Sequence, residues 1–166
     1  DEKTVKTFAG MLSGVDWAGK PLAAANADLP VPEDTVGQFW HALTALREYR
    51  GDCHLAVLTA AGLDGAASNV LAVAAGMFQH DQQAARGWTD EEWAAGAERL
   101  RQRGWVDVDG VITADGTAAR NQLEDATDRV CASGLDEEAQ ARAITVEPEL
   151  RAAAKALLSA GLMPRM

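Results

Sequence analysis

Cysteine, basic charge, β-branched residues and long apolar runs are all scarce in this chain, and each scarcity closes off a class of protein. Only two cysteines occur in 166 residues, Cys53 and Cys131, far apart and in no paired spacing. That excludes a disulfide framework and fits reduced thiols in a cytoplasmic protein. Lys and Arg number 15 against 25 Asp and Glu, a formal charge of −10. So acidic a chain lacks the basic face of a general nucleic-acid or anionic-membrane surface. No apolar run approaches the roughly 18 to 20 residues of a membrane span. Asp1-Glu2-Lys3 opens a short mixed segment, not the long apolar core of a signal peptide. With no initiator Met and a start in mid-pattern, the chain reads as a processed or trimmed piece of something longer.

Chemical motifs are equally sparse. There is no Gly-rich phosphate loop and no nucleophile elbow. Asp52, His41, His54 and His80 could in principle hold a metal, but no HxxxH, CxxC or HExxH spacing joins them. No metal and no other cofactor is therefore expected.

What the chain has is alanine and helical periodicity. Apolar residues make up 48% of it, Ala dominates them, and the balance favours helix over strand. A chain this long buries roughly 70% of the surface its unfolded form exposes, so a single domain with a small appendage needs no covalent staple. Val5, Phe8, Met11 and Leu12 predict a short amphipathic helix over residues 4–12. Trp17, Pro21, Pro30 and Pro32 then mark an apolar-anchored strap with a small helical turn at Leu22–Asn26.

After Glu33-Asp34, the stripe Val36, Phe39, Trp40, Leu43 and Leu46 predicts a helix that stops at Gly51. Asp52 would cap a second helix running to Gly62, and Asp64 a third running to Gly76. A short helix over Gln79–Ala85 follows. Thr89-Asp90-Glu91-Glu92 is a capping box opening a helix that Gly104 closes. Trp105–Val108 and Val111–Thr113 flank Asp109-Gly110, the signature of a two-stranded hairpin. Thr113 caps a long helix with Ala119, Leu123, Ala126 and Val130 on one face. A capped segment from Asp136 and a last helix from Pro148 complete the chain.

The expected fold is mainly α: a winged-helix-like helical domain with one short two-stranded β-hairpin and extra flanking helices. Residues 1–34 form an N-terminal helix and strap, 35–132 the winged-helix-like core, and 133–166 a C-terminal helical extension. The helix from Thr89 stands in the recognition position and the Asp109-Gly110 hairpin is the wing. A recognition helix presents its N-terminal residues to base edges. Here they are Asp90, Glu91 and Glu92, and residues 88–113 hold six acids against Arg99, Arg101 and Arg103. Phosphate contact supplies most non-specific affinity, so DNA is not an expected partner.

The densest polar run is Leu46-Arg47-Glu48-Tyr49-Arg50-Gly51-Asp52-Cys53-His54. One reading is a helix-end network of caps. The other is a site: Arg47, Glu48 and Arg50 bind a small polar or anionic molecule, while Asp52 charges or orients His54 for acid–base work. Cys53 adjoins His54 in sequence, but neighbours on a helix diverge, which argues against a thiol–imidazole pair.

Several runs resemble the SalK-like bacterial winged-helix family. They include Arg47-Glu48-Tyr49-Arg50-Gly51-Asp52-Cys53-His54, Ala61-Gly62-Leu63-Asp64 and Arg86-Gly87-Trp88-Thr89-Asp90-Glu91-Glu92-Trp93. Asp109-Gly110-Val111-Ile112-Thr113 and Glu124-Asp125-Ala126-Thr127-Asp128 extend the likeness over nearly the whole chain. The resemblance implies a winged-helix fold, a role near secondary metabolism and a further helical half preceding this region. That family more usually has His where Tyr49 stands and Gly where Cys53 stands, which leaves Arg47, Glu48, Arg50, Asp52 and His54 as the matching set.

The expected function is a cytoplasmic secondary-metabolism protein binding a small polar or anionic molecule at Arg47–His54. A tailoring enzyme with Asp52 and His54 as acid–base groups is one form of it. Two alternatives stay open: a winged-helix transcriptional regulator, and a structural subunit that completes a partner chain. The expected partners are a small-molecule ligand or substrate and an N-terminal helical half or second chain, with a dimer as a further option and no membrane.

Overall fold

The computed structural model describes residues 1–78 and 82–161 and is helical almost throughout. Eight α-helices are assigned among the described residues: α1 (Glu2–Ala9), α2 (Pro21–Ala27), α3 (Thr35–Ala60), α4 (Gly65–Ala74), α5 (Gln82–Arg86), α6 (Asp90–Gln102), α7 (Ala114–Ser133) and α8 (Glu137–Ser159). No single helix is long and apolar enough to cross a membrane. The helices group into two compact units. A continuous unit comprises Leu55–Ala126, and a split unit combines Asp1–His54 with the chain from Thr127 onward.

In the continuous unit, Leu58, Leu63, Ala67, Val70, Leu71, Leu100, Val106 and Leu123 form the core. The starts of α4 and α6 are capped by residues near them in sequence. Asp64 accepts from Ala67 N–H at 2.9 Å and caps α4. The Thr89–Glu92 capping box forms as expected and starts α6. Gly62, at φ +67°, closes α3, and Arg103 donates to the carbonyls of Ala61 and Gly62 at 3.0 and 2.8 Å. Helices α4 and α6 cross closely at Gly96, where a Cβ would stand 2.9 Å from the Ala67 nitrogen. Only a hydrogen fits there.

The expected two-stranded hairpin does not form. Val106 and Ile112 make one isolated antiparallel bridge, and no strand is assigned among the described residues. Asp107 explains it: its carboxylate accepts from both Asp109 N–H and Val111 N–H at 2.9 Å, curling the segment into a turn. Val108 and Val111 are exposed, so no apolar face rewards a longer ladder.

The split unit has two apolar clusters. Phe8, Met11, Ala42, Ala139 and Val146 bury one of them, with Phe8 and Phe39 rings 5.4 Å apart. Val15, Ala23, Tyr49 and Cys53 bury the other, flanked by Trp17, Leu46, Cys131 and Leu135. The strap is pinned to the α7–α8 turn by an antiparallel bridge: Asp16 N–H donates to Gly134 C=O at 2.8 Å, and Asp136 N–H to Gly14 C=O at 2.9 Å. Asp136 also caps α8 through Ala139 N–H at 2.7 Å.

Four expectations about helices are corrected. The first helix does not stop at Gly51, because α3 runs unbroken to Ala60. An interior Gly costs only about 1 kcal/mol relative to Ala, and burial of Ala42, Ala45, Tyr49 and Cys53 outweighs it. The α3 stripe is also corrected in part: Phe39, Leu43 and Leu46 pack against the core as expected, but Trp40 is 68% exposed and Val36 more so, and Ala42 and Ala45 are the fully buried positions. On α7, Val130 is exposed and Thr127 takes the buried position. Finally, α8 begins after Asp136 and passes through Pro148, which lies on the exposed side where water can take the bond proline forfeits. Of the Gln79–Ala85 helix, residues 79–81 lie outside the described residues, and α5 covers the remainder.

Candidate functional site

The polar run Leu46–His54 lies within α3, so its side chains radiate by helical spacing instead of gathering at a junction. Arg47, Arg50 and His54 are three and four residues apart and share one face. Arg47 pairs with Glu48. The Arg50 guanidinium reaches Asp128 of α7 at 3.5 Å. His54 Nδ1 and the fully buried Thr127 hydroxyl share a hydrogen bond of 2.9 Å. The result is a polar seam of Arg50 and His54 against Asp128 and Thr127.

Asp52 has a different task. Two positions from His54 on a helix, it projects to the opposite side. Its Oδ2 accepts from the buried Ala23 N–H at 2.9 Å, inside the first turn of α2. Lys20, the residue before that turn, offers no side-chain cap. Asp52 thus caps α2 from another helix, and the structure does not bring it to His54 as the acid–base reading requires.

Tyr49 and Cys53 are core residues. The Tyr49 hydroxyl donates to Cys131 C=O at 2.7 Å, its ring meets Trp17 edge-on at 6.3 Å, and Lys20 Nζ sits 5.3 Å from its centroid. Lys20 is itself buried and donates to Ala18 C=O at 3.0 Å. A Cβ at Gly134 would fall 2.3 Å from the Tyr49 oxygen, so this close approach needs glycine. Burial above all raises Tyr49, with the nearby thiols adding to the effect. Burial and the Cys53 thiol push Cys131 up to about 12. Such a thiol is a poor nucleophile.

A helix-turn-helix family model matches residues 2–164. The chain belongs to that family. No curated protein and no solved structure matches it. In this helix-turn-helix protein, α6 starts at the Thr89 capping box and carries three arginines toward its C-terminal end. Its three arginines all have partners inside the continuous unit: Arg99 with Asp64 at 2.6 Å, Arg101 with Glu98 at 3.0 Å, and Arg103 with the Ala61 and Gly62 carbonyls. The Ala67 amide and the Arg99 guanidinium hold the Asp64 carboxyl below its usual range, outweighing the partial burial that acts the other way. Asp90, Glu91 and Glu92 remain exposed at the α6 N-terminus.

Sequence reasoning missed Thr127, Asp128 and Lys20 as members of this network. Thr127 and Asp128 did fall in the run Glu124–Asp128 that carried a family resemblance. Nothing in the sequence linked them to α3. Among the described residues no group of three or more His, Cys, Asp or Glu could hold a metal ion, and His80 lies outside them.

Proposed function

We propose that this helix-turn-helix protein uses its fold as a scaffold for a small anionic molecule, held on the α3 face of Arg47, Arg50 and His54. The observation that carries the reading is where the arginines lie. The Arg99 and Arg101 side chains of α6 are 41% and 37% exposed, whereas those of Arg47 and Arg50 are 77% and 50% exposed. Exposed ion pairs contribute only about 0–1 kcal/mol, so a ligand carboxylate or phosphate accepting two guanidinium bonds displaces Asp128 readily. Glu48 holds Arg47 on this face. Asp52 serves the site by fixing α2, and any acid–base step falls to His54, oriented by Thr127. The family resemblance described above would place the ligand in secondary metabolism.

Isothermal titration with a panel of small carboxylates and phosphates tests the proposal. Arg50→Ala and His54→Ala should each weaken the best binder at least about tenfold, with little change in thermal midpoint for the exposed Arg50 pair and a lowered midpoint for His54, whose partner Thr127 is fully buried. Wild-type affinity in both variants would overturn it.

The second reading, a transcriptional regulator, is favoured by the family itself. A mobility shift of duplex DNA at micromolar protein and low salt would support that reading over the first. Against it stands the charge of the continuous unit, whose sequence holds eleven acids and five arginines. The third reading, a subunit completing a partner chain, predicts a change in elution volume when the upstream coding region is co-expressed.

A further inference from the structure

The apolar stripe of α8 continues past the core it packs on. Ala139, Ala143, Val146, Leu150, Ala153, Leu157 and Ala160 follow one another at alternating intervals of four and three residues. That spacing keeps them on one side of a helix, and it is the repeat by which two helices pack along their length. The first four are satisfied inside the split unit. Ala139 and Val146 are buried with Phe8, Met11 and Ala42, and Ala143 and Leu150 pack against them. The last three are not: every residue from 151 to 160 is exposed, Leu157 by 44% and its neighbour Leu158 by 62%.

The buried part of the stripe borders an apolar groove of about 440 Å³. Phe8, Met11, Val146 and Leu150 are among its apolar walls, and Glu147 and Arg151 among its polar ones. The chain thus carries an apolar helix end and an apolar groove on one helix, separated by about 10–15 Å at 1.5 Å per residue. Because α8 is continuous, its end cannot turn back into its own groove. Two copies related by a two-fold axis satisfy both surfaces at once, each end entering the groove of the other copy.

We propose that the exposed end of α8 pairs antiparallel with α8 of a second copy of this chain. One register accounts for the stripe. Leu150 of each copy meets Ala153 of the other, and Leu157 enters the groove beside Val146. The same register brings Lys155 beside Glu147 and Glu149 of the other copy. Residues 151–161 carry Arg151 and Lys155 and no acid, so antiparallel pairing sets a cationic stretch on an acidic turn. Parallel pairing would set Lys155 on Lys155. Glu147 is already paired with Arg151 one turn on at 2.5 Å, but both are exposed, and such a pair is too weak to exclude a second cation. This inference uses neither the α3 face nor its ligand.

Sedimentation velocity of the whole chain, from roughly 10 to 500 µM, reads the association, since small interfaces are weak ones. The mass should rise from that of the 17.5 kDa chain toward twice that value with concentration. Leu157→Glu should weaken the dimer at least about tenfold. Because Leu157 is exposed, the thermal midpoint of the dilute variant should stay in place. Lys155→Glu replaces attraction by repulsion and should weaken the dimer about fivefold, whereas a parallel pair would be unaffected. Val108→Glu alters a more exposed apolar side chain in the continuous unit and should change nothing. A constant monomer mass, as expected if a helix of another protein covers this face, would overturn the proposal. So would undiminished association in Leu157→Glu or Lys155→Glu, or an equal loss in Val108→Glu.

Discussion

The two units differ in how they cap their helices. In the continuous unit the caps at helix starts join residues close in sequence, Asp64 with Ala67 and Thr89 with Glu92, although Arg103 reaches back 42 positions to Ala61 C=O. In the split unit, the decisive bonds cross long stretches of chain. Asp52 to Ala23 spans 29 positions, His54 to Thr127 spans 73, Arg50 to Asp128 spans 78, and Tyr49 to Cys131 spans 82. Local bonds form whenever their segment folds. Distant ones exist only once the whole unit has assembled, so losing one loosens a helix that nothing nearby can hold. The contrast also bears on the chemistry: Arg99 and Arg101 in the continuous unit have side chains 41% and 37% exposed, against 77% and 50% for Arg47 and Arg50 in the split unit.

The sharpest way to break this comparison is to damage one unit and watch the other. Gly96→Ala forces a methyl against the Ala67 backbone and should destabilise the continuous unit by about 2–3 kcal/mol. Hydrogen exchange should then show amides of α4 and α6 losing protection while those of α1 and α8 keep theirs. Equal losses everywhere would mean that the two units unfold as one.

Asp52→Ala is the matching injury to the split unit. It removes the cap of α2 and leaves the buried Ala23 amide unpaired, an expected loss of about 1–2 kcal/mol. Protection in α2 should fall first. If α2 is unaffected, Asp52 acts elsewhere and its acid–base role returns to consideration.

Alkaline pH probes the same unit more gently. In the unfolded chain Cys131 ionises near its ordinary 9.0, whereas in the fold it is pushed up to about 12, and Tyr49 is raised as well. The folded state then holds protons that the unfolded state has released, so stability is full below pH 9 and declines as pH rises above it. Thermal midpoints of wild type and Cys131→Ser across that range check this. The variant should show the shallower decline.

The smallest expected effect has the opposite sign. Gly51 sits inside α3, and a Cβ there would approach nothing closer than the Glu48 carboxylate at 3.6 Å. Gly51→Ala should therefore stabilise α3 by about 0.5–1 kcal/mol, read as a rise in thermal midpoint. A fall would mean that α3 needs a weak point there.

The same contrast explains what could be read from the sequence. The capping box at Thr89, the Asp64 cap and the stop at Gly62 were all legible, because each is a local rule with its partners a few residues away. The hairpin failed for a local reason too subtle for a pattern: Asp107 competes with the ladder for the amides of Asp109 and Val111. Gly51 misled because glycine at a helix end and glycine tolerated within a helix look alike until packing is known. At the candidate site, the residues Arg47 to His54 were found, but their roles were not. Whether Asp52 serves His54 or α2 depends on where Ala23 lies, and no spacing along α3 encodes that. Thr127 is a polar residue at full burial, and its bond to His54 joins residues 73 positions apart, which no local pattern encodes.

The bridge between Val15 and Leu135 has a consequence for biosynthesis. Leu55–Ala126 is one uninterrupted stretch, so it leaves the ribosome complete and can fold as soon as it emerges. The strap cannot. Gly14 and Asp16 must wait for Gly134 and Asp136 before their backbone bonds exist, and Phe8 must wait for α8 before its cluster closes. During that interval the N-terminal segment presents Phe8, Met11 and Trp17 to solvent or to a chaperone. The order of synthesis thus makes the acidic continuous unit the first part to mature, and leaves the α3 face of Arg47 and Arg50 to be finished last.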